Sequence, residues 1–339
     1  MRFIAWLLVL LLIAAGLAGF IIYAPYGPST ETFVDIPSGS GANSIAARLQ
    51  HGGIIRSQYG FYLLRLAKGG VLKAGEYRFD HPASMADVYA RIARGDVYTL
   101  TLSIPEGFNI FDIAQAVQDA NLGSRDAFLA AEREHTELIA PWTTQTQTTQ
   151  ATQTTQAGEH PISLEGYLFP DTYHFSRHST PLQMLAAMVH RFSQECTQLG
   201  LRGPDVPHTV ILASLVEKEV SQAGERPLVA GVFTNRLAKG IPLATDPSVA
   251  YAALLEGRWR GTIYASDLQS PSAYNTYKHA GLPPGPICSP GVAALRAAMH
   301  PADTNYLYFV SDAAGHSRFS TTLKEHESNV QSYRRAQQH

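Results

Sequence analysis

Two acids, Glu217 and Glu219, close the apolar run Val210-Ile211-Leu212-Ala213-Ser214-Leu215-Val216, and they are the first candidates for proton transfer in this chain. On a helix Glu217 shares a face with Val210, Ala213, Ser214 and Val220, while Glu219 sits over Leu212, Leu215 and Val216. Lys218 is rotated about 100° from each. A helix whose solvated face simply begins at Glu217 would look the same from spacing alone, and periodicity does not choose between the two acids.

A second cluster follows in chain that reads as loop-rich, from Ile241 to Gly291. It contains Thr245-Asp246-Pro247, then Tyr274-Asn275-Thr276-Tyr277, then Gly281-Leu282-Pro283-Pro284-Gly285. Paired prolines stiffen such a loop, and Tyr and Asn are side chains that stack on sugars or hydrogen-bond to them. Other chemistries lack their signatures. There is no Walker loop, Gly-x-Ser-x-Gly elbow or His-Glu-x-x-His, and 13 histidines are scattered without ligand spacing. No metal and no cofactor is therefore expected. The formal net charge of −2 gives no footprint for a nucleic-acid backbone and leaves a neutral polymer such as a glycan open.

The elements that must position these residues can be read in outline. Pro207 to Val220 reads as one helix, ended near Gly224, and Arg226-Pro227 starts another with Gly240 past its end. A short helix to His300, a hairpin of Tyr306–Val310 with Ser317–Ser320, and a final helix complete the C-terminal part. The expected fold class is α+β. Earlier in the chain, Ile36-Pro37-Ser38-Gly39 returns as Ile104-Pro105-Glu106-Gly107, an offset of 68 that also matches Ile45-Ala46 to Ile113-Ala114. Each copy reads as a strand, a Gly turn, an amphipathic helix and a second short helix, Gln58–Ala67 or Arg125–Arg133. The strand Gly75–Phe79 then finds its expected counterpart in Gly166-Tyr167-Leu168-Phe169, an offset of 90. The 22-residue excess is assigned to an insertion that includes the Thr/Gln tract Thr143–Gln156, whose composition predicts disorder.

Phe3 to Ala24 is an apolar run of 22 residues, long enough for the roughly 30 Å hydrocarbon core of a bilayer. It exceeds the usual apolar region of a cleaved signal, and its small residues lie inside it rather than after it. An uncleaved single-pass anchor is expected. Arg2 precedes the run, whereas Glu31 and Asp35 follow it and the next basic residue is Arg48. That asymmetry predicts a cytoplasmic N-terminus and an extracytoplasmic body. The expected organisation is an anchor over 1–24, a first module over 25–100, a second related unit over 101–200 and a catalytic core over 201–339. Cys196 and Cys288 are the only cysteines and form neither a framework nor a zinc pattern.

Several segments together resemble one family. They are Glu165-Gly166-Tyr167-Leu168-Phe169-Pro170-Asp171-Thr172-Tyr173, Ala213–Glu219, Phe233-Thr234-Asn235-Arg236-Leu237, Thr245–Ser248, Tyr274–Tyr277, Gly281–Ile287 and Tyr306–Val310. The sequence is similar to the membrane-anchored endolytic murein transglycosylases, the YceG-like proteins, from Ile36 to the last helix. The resemblance implies a LysM-like module over 25–100 and a general acid/base at the first Glu of Val-Glu-Lys-Glu, which is Glu217. Substrate contacts are then expected from Glu219, Thr245, Asp246, Tyr274, Asn275 and Tyr277. The implied reaction cuts the β-1,4 bond between N-acetylmuramic acid and N-acetylglucosamine, leaves 1,6-anhydromuramic ends, and ends elongation of nascent strands. Glycan strands, the inner (cell) membrane and peptidoglycan synthases are the implied partners. The chain departs from the family at Ala244, where Gln usually precedes Thr-Asp-Pro. A hydrolytic muramidase would need a second carboxylate, with Asp246, Glu165 and Glu219 as candidates. A non-catalytic LysM-like wall-binding protein would need none.

Overall fold

The computed structural model describes residues 2–143, 163–220, 222–311 and 316–336. The expected disorder of the Thr/Gln tract falls, apart from Thr143, outside the described residues. The fold is mixed α+β, and among the described residues its strands form three two-stranded sheets. The chain divides into two compact units, one of residues 1–100 with His174–Arg177 and one of 101–173 with 178–339.

The first unit begins with α1 (Arg2–Tyr23), the 22-residue apolar helix. Strands β1 (Thr32–Ile36) and β2 (Gly75–Phe79) pair antiparallel, with Val34 opposite Tyr77 and Ile36 opposite Gly75. Because strand side chains alternate, Val34, Ile36, Tyr77 and Phe79 all face one way. They are buried against Ile45 and Leu49 of α2 (Ala42–His51), Phe61 and Leu64 of α3 (Gln58–Lys68), and Tyr89 and Ile92 of α4 (Met85–Arg94). Ser57 and Ser84 cap α3 and α4 by accepting from backbone N–H groups, and left-handed Gly95 ends α4.

The second unit repeats this order. Strand β3 (Leu100–Ser103) is followed by α5 (Ile110–Asp119), which is α2 shifted by the expected 68 residues, and by α6 (Arg125–Glu134). One expectation is corrected here. Gly166–Phe169 is not a strand but a turn, with Gly166 at φ +82° and Tyr167, Leu168 and Phe169 all buried instead of alternating. The strand that pairs with β3 is β4, Thr172–Phe175. Matching Phe79 to Phe175 gives an offset of 96, and α7 (Pro181–Leu199) then starts six residues after its strand, as α4 does. The repeat is therefore β-α-α-β-α, one helix longer than the sequence suggested.

Helix α8 (Asp205–Glu219) is apolar on nearly every side, with Val206, Val210 and the whole of Leu212–Val216 buried. A helix enclosed in this way presents polar chemistry only where it ends. It packs against α9 (Arg226–Ala238), α10 (Asp246–Leu255) and α12 (Val292–Met299), with the short α11 (Ala265–Leu268) between the last two in sequence. The expected loop over 241–291 thus contains a ten-residue helix, α10. Its sequence, Asp-Pro-Ser-Val-Ala-Tyr-Ala-Ala-Leu-Leu, has no polar stripe to mark a helical period, and half of it is buried. Strands β5 (Tyr308–Ser311) and β6 (Ser317–Ser320) pair antiparallel as expected, and α13 (Leu323–Ala336) follows. Cys196 and Cys288 are both buried free thiols.

Candidate active site

The last turn of α8 splits the two acids between different neighbours. Residues two apart on a helix point about 200° from one another, so Glu217 and Glu219 serve separate clusters.

Glu217 is held on both oxygens. Arg226, at the start of α9, donates to its Oε1 at 2.6 Å, and the Gly291 N–H at the head of α12 donates to its Oε2 at 3.0 Å. The two side chains of the ion pair are 5% and 9% exposed. Glu106, from the second Ile-Pro-x-Gly turn, lies 3.7 Å from the same guanidinium. A Cβ at 291 would fall 1.8 Å from the Glu106 carboxylate, so any larger residue there would push the half-exposed Glu106 side chain aside. Burial pushes the Glu217 carboxyl up, against the pull of the Gly291 N–H and the Arg226 charge. Lys218 donates to the Gly107 carbonyl at 3.2 Å, so the whole turn is tied to the 106–107 segment. With one donor on each oxygen, the Glu217 carboxylate is held in a fixed orientation.

Glu219 is half-buried and accepts no hydrogen bond from any described residue. Burial raises its carboxyl to about 7, repulsion from Asp246 adds to the rise, and Arg236 opposes it. Asp246, exposed at the first turn of α10, accepts from the Tyr277 hydroxyl at 2.7 Å. A carboxyl near neutrality, facing a second carboxylate and an exposed phenol, can give up a proton and take one back.

The remaining sequence candidates divide between surface and scaffold. Tyr277 is exposed and Tyr274 half-buried, its ring 5.2 Å from that of Tyr251. Asn275 is wholly buried, donating to the carbonyls of Leu268 and Ser270 and accepting from the Tyr277 N–H. Thr245 is also buried, its N–H donating to the Thr276 hydroxyl, which in turn bonds Ser248. These two shape the loop that carries Asp246 and Tyr277 and do not themselves face outward. Ala244 sits in the left-handed region at φ +52°, its N–H donating to the Thr276 carbonyl. Sequence reasoning missed Glu106, Arg226 and Gly291 as partners of Glu217. Their separations in the chain exceed any local period, and only the repeated Ile-Pro-x-Gly turn marked one of them.

Glu165 is 2% exposed and so out of reach of a polymer. Its Oε2 accepts from the Ile110 N–H at the head of α5 and from the Tyr251 hydroxyl, and its Oε1 is buried without a partner among the described residues. Burial lifts its carboxyl to about 8. A raised folded value means the unfolded chain, near 4.3, releases its proton first. Stability present below that value is then lost as pH rises through about 8. Glu165→Gln is expected to flatten this decline in a series of thermal melts between pH 5 and 8. An unchanged slope would show that another group sets it.

Comparisons with known proteins bear on this arrangement. The sequence profile of the YceG-like family matches residues 34–332. The chain is 32% identical over 311 residues to the endolytic murein transglycosylase of Bacillus subtilis, covering 90% of this chain and 85% of that protein. It is 31% identical to the enzyme of the same name from Streptococcus pneumoniae strain D39, covering 88% of this chain and 57% of that longer protein. A 2.6 Å crystal structure of a YceG-like protein from Listeria monocytogenes superposes with a TM-score of 0.55 at 31% identity, covering 89% of this chain and 99% of that one. An α+β fold with paired acids at the end of a buried helix, and with relatives of this name, defines an enzyme of the lytic transglycosylase class. The chain belongs to the YceG-like family.

Proposed function

We propose that this protein is a membrane-anchored endolytic murein transglycosylase in which Glu219, rather than Glu217, transfers the proton. The observation that carries this reading is the Glu219 carboxyl, raised to about 7 beside Asp246 and without a hydrogen-bond donor among the described residues. Glu217, engaged on both oxygens, holds the turn in place. Protonated Glu219 donates to the β-1,4 glycosidic oxygen between N-acetylmuramic acid and N-acetylglucosamine, and that C1–O bond breaks. The resulting carboxylate takes the proton of the muramic 6-hydroxyl as its oxygen bonds to the same C1, closing the 1,6-anhydro ring. Such an intramolecular attack carries an effective molarity of about 10⁵–10⁸ M, so one carboxyl suffices. Asp246 holds the Tyr277 hydroxyl and orients the sugar. Thr245 and Asn275 act through the loop they pin.

The wider setting follows from the other elements. Helix α1 is the single-pass anchor, with the N-terminus in the cytoplasm and both units outside the inner membrane. Two helices between paired strands support a LysM-like reading of the first unit, which would hold glycan strands. Cutting nascent strands beside the peptidoglycan synthases would end their elongation. A muramidase is the second reading, because Asp246 supplies a second carboxylate close enough to raise Glu219.

Mass analysis of purified glycan strands after digestion separates these readings. Anhydromuramic ends are expected. Reducing ends would mean hydrolysis with Asp246 as partner, and intact strands would mean a wall-binding protein. The rate is expected to fall as pH rises through about 7, because the donor must start protonated.

A further inference from the structure

Helix α3 carries an apolar stripe that the core does not use. Phe61 and Leu64 face inward, but Tyr59, Leu63 and Leu66 are 75%, 62% and 64% exposed, with Tyr62 also exposed beside them. These four fall within about 100° of one another around the helix, the width of an amphipathic face. Val71, just past the helix end, is also exposed. The first turn holds no acid, and Arg65 and Lys68 lie in the last.

The stripe's position is fixed by α1 within the same unit. Ile21 and Ile22 of α1 pack on the core of this unit, and a Cβ at Gly60 of α3 would lie 3.1 Å from Ile21. The Arg56 guanidinium, just before α3, stands 5.0 Å over Phe20 and 4.8 Å over Tyr26 and donates to the Pro25 carbonyl. Ile21 lies three residues inside the apolar run that ends at Ala24, or about 4.5 Å along the helix axis. A helix touching Ile21 is therefore at the depth where the hydrocarbon gives way to headgroups.

We infer that α3 lies in the outer face of the membrane, with Tyr59, Leu63 and Leu66 among the acyl chains and Arg65 and Lys68 at anionic phospholipid headgroups. This rests on the reading of α1 as a bilayer span. The chemistry fits an interfacial helix, with Tyr and Leu on one side, Arg65 flanking them and Lys68 at the helix end. The first unit is then held to the bilayer along a second line and cannot tilt freely about α1.

The test uses the full chain in vesicles of phosphatidylethanolamine and phosphatidylglycerol, with nitroxide labels on single introduced cysteines. Cys196 and Cys288 are buried and leave the label to the new site. Labels at Leu63→Cys and Leu66→Cys are expected to collide more with oxygen than with a water-soluble nickel chelate, as a label at Ile13→Cys in mid-α1 does. A label at Ala47→Cys, on the exposed side of α2, is expected to show the reverse. Nickel access at 63 and 66 with Ile13 still shielded would overturn this inference and leave the anchor standing. Nickel access at Ile13 would overturn both. Shielding of 63 and 66 from both reagents would mark a protein partner on the stripe and would also overturn it.

Discussion

Glu219→Gln is expected to fold, to bind glycan strands, and to lose about 10²–10⁴-fold in formation of anhydromuramic ends, the share that general acid–base catalysis contributes. Glutamine keeps the shape of the side chain but cannot cycle a proton. Because Glu219 receives no hydrogen bond from a described residue, the amide breaks no contact and the loss is chemical. Glu217→Gln is expected to act differently, lowering stability through the Arg226 pair while the folded fraction still makes anhydro product. The measurement is product per folded molecule for the two variants side by side. Full activity in Glu219→Gln with collapse in folded Glu217→Gln would return the proton to Glu217.

The largest effect on stability is expected at Arg226. Its guanidinium is nearly buried between Glu217 and Glu106, and truncation strands the Glu217 carboxylate in a dry site. Removing one partner of a buried pair costs about 3–5 kcal/mol. For a unit of this size Arg226→Ala should lower the melting temperature by roughly 6–20 °C. Replacing both partners together, as Arg226→Met with Glu217→Leu, is expected to recover most of that loss, because the charge left without its counterpart, Glu106, is half exposed to water. The recovery stops short where the Gly291 N–H loses its acceptor. A double variant no better than Arg226→Ala would mean that the pair's hydrogen bonds, and not stranded charge, set the cost.

What could be read from the sequence followed from local periods. The 68-residue offset located α5 because strand, Gly turn and amphipathic helix recur with their apolar positions in step. The match of Gly75–Phe79 to Gly166–Phe169, at an offset of 90, failed because a left-handed glycine and burial on every side imitate a strand's composition without its alternation. Helices α4 and α7 carry Ser84 and Thr180 caps that were open to reading, yet they lie beyond the segments where the two copies look alike. The choice between Glu217 and Glu219 was beyond any local rule. Glu219 is proposed on the contacts of Arg226 and Gly291 with Glu217 and on Asp246 beside Glu219, and none of these is within a helical turn of α8 in sequence.

The first unit borrows four residues, His174–Arg177, from far along the chain. Arg177 donates from its Nε at 3.0 Å and from a terminal nitrogen to Glu76, whose side chain is 3% exposed, and its guanidinium lies 3.6 Å over Phe33. A gene exchange between relatives with one crossover near residue 100 would therefore bring a foreign Arg177 neighbourhood to a native Glu76, or the reverse. Where the pair did not match, a carboxylate inside the donor's sheet would lose both guanidinium bonds, a penalty of several kcal/mol for an ion out of water. Inheritance of this N-terminal module is thereby coupled to that of the enzyme behind it: new combinations arise by swapping both stretches together or by first changing residues 76 and 177.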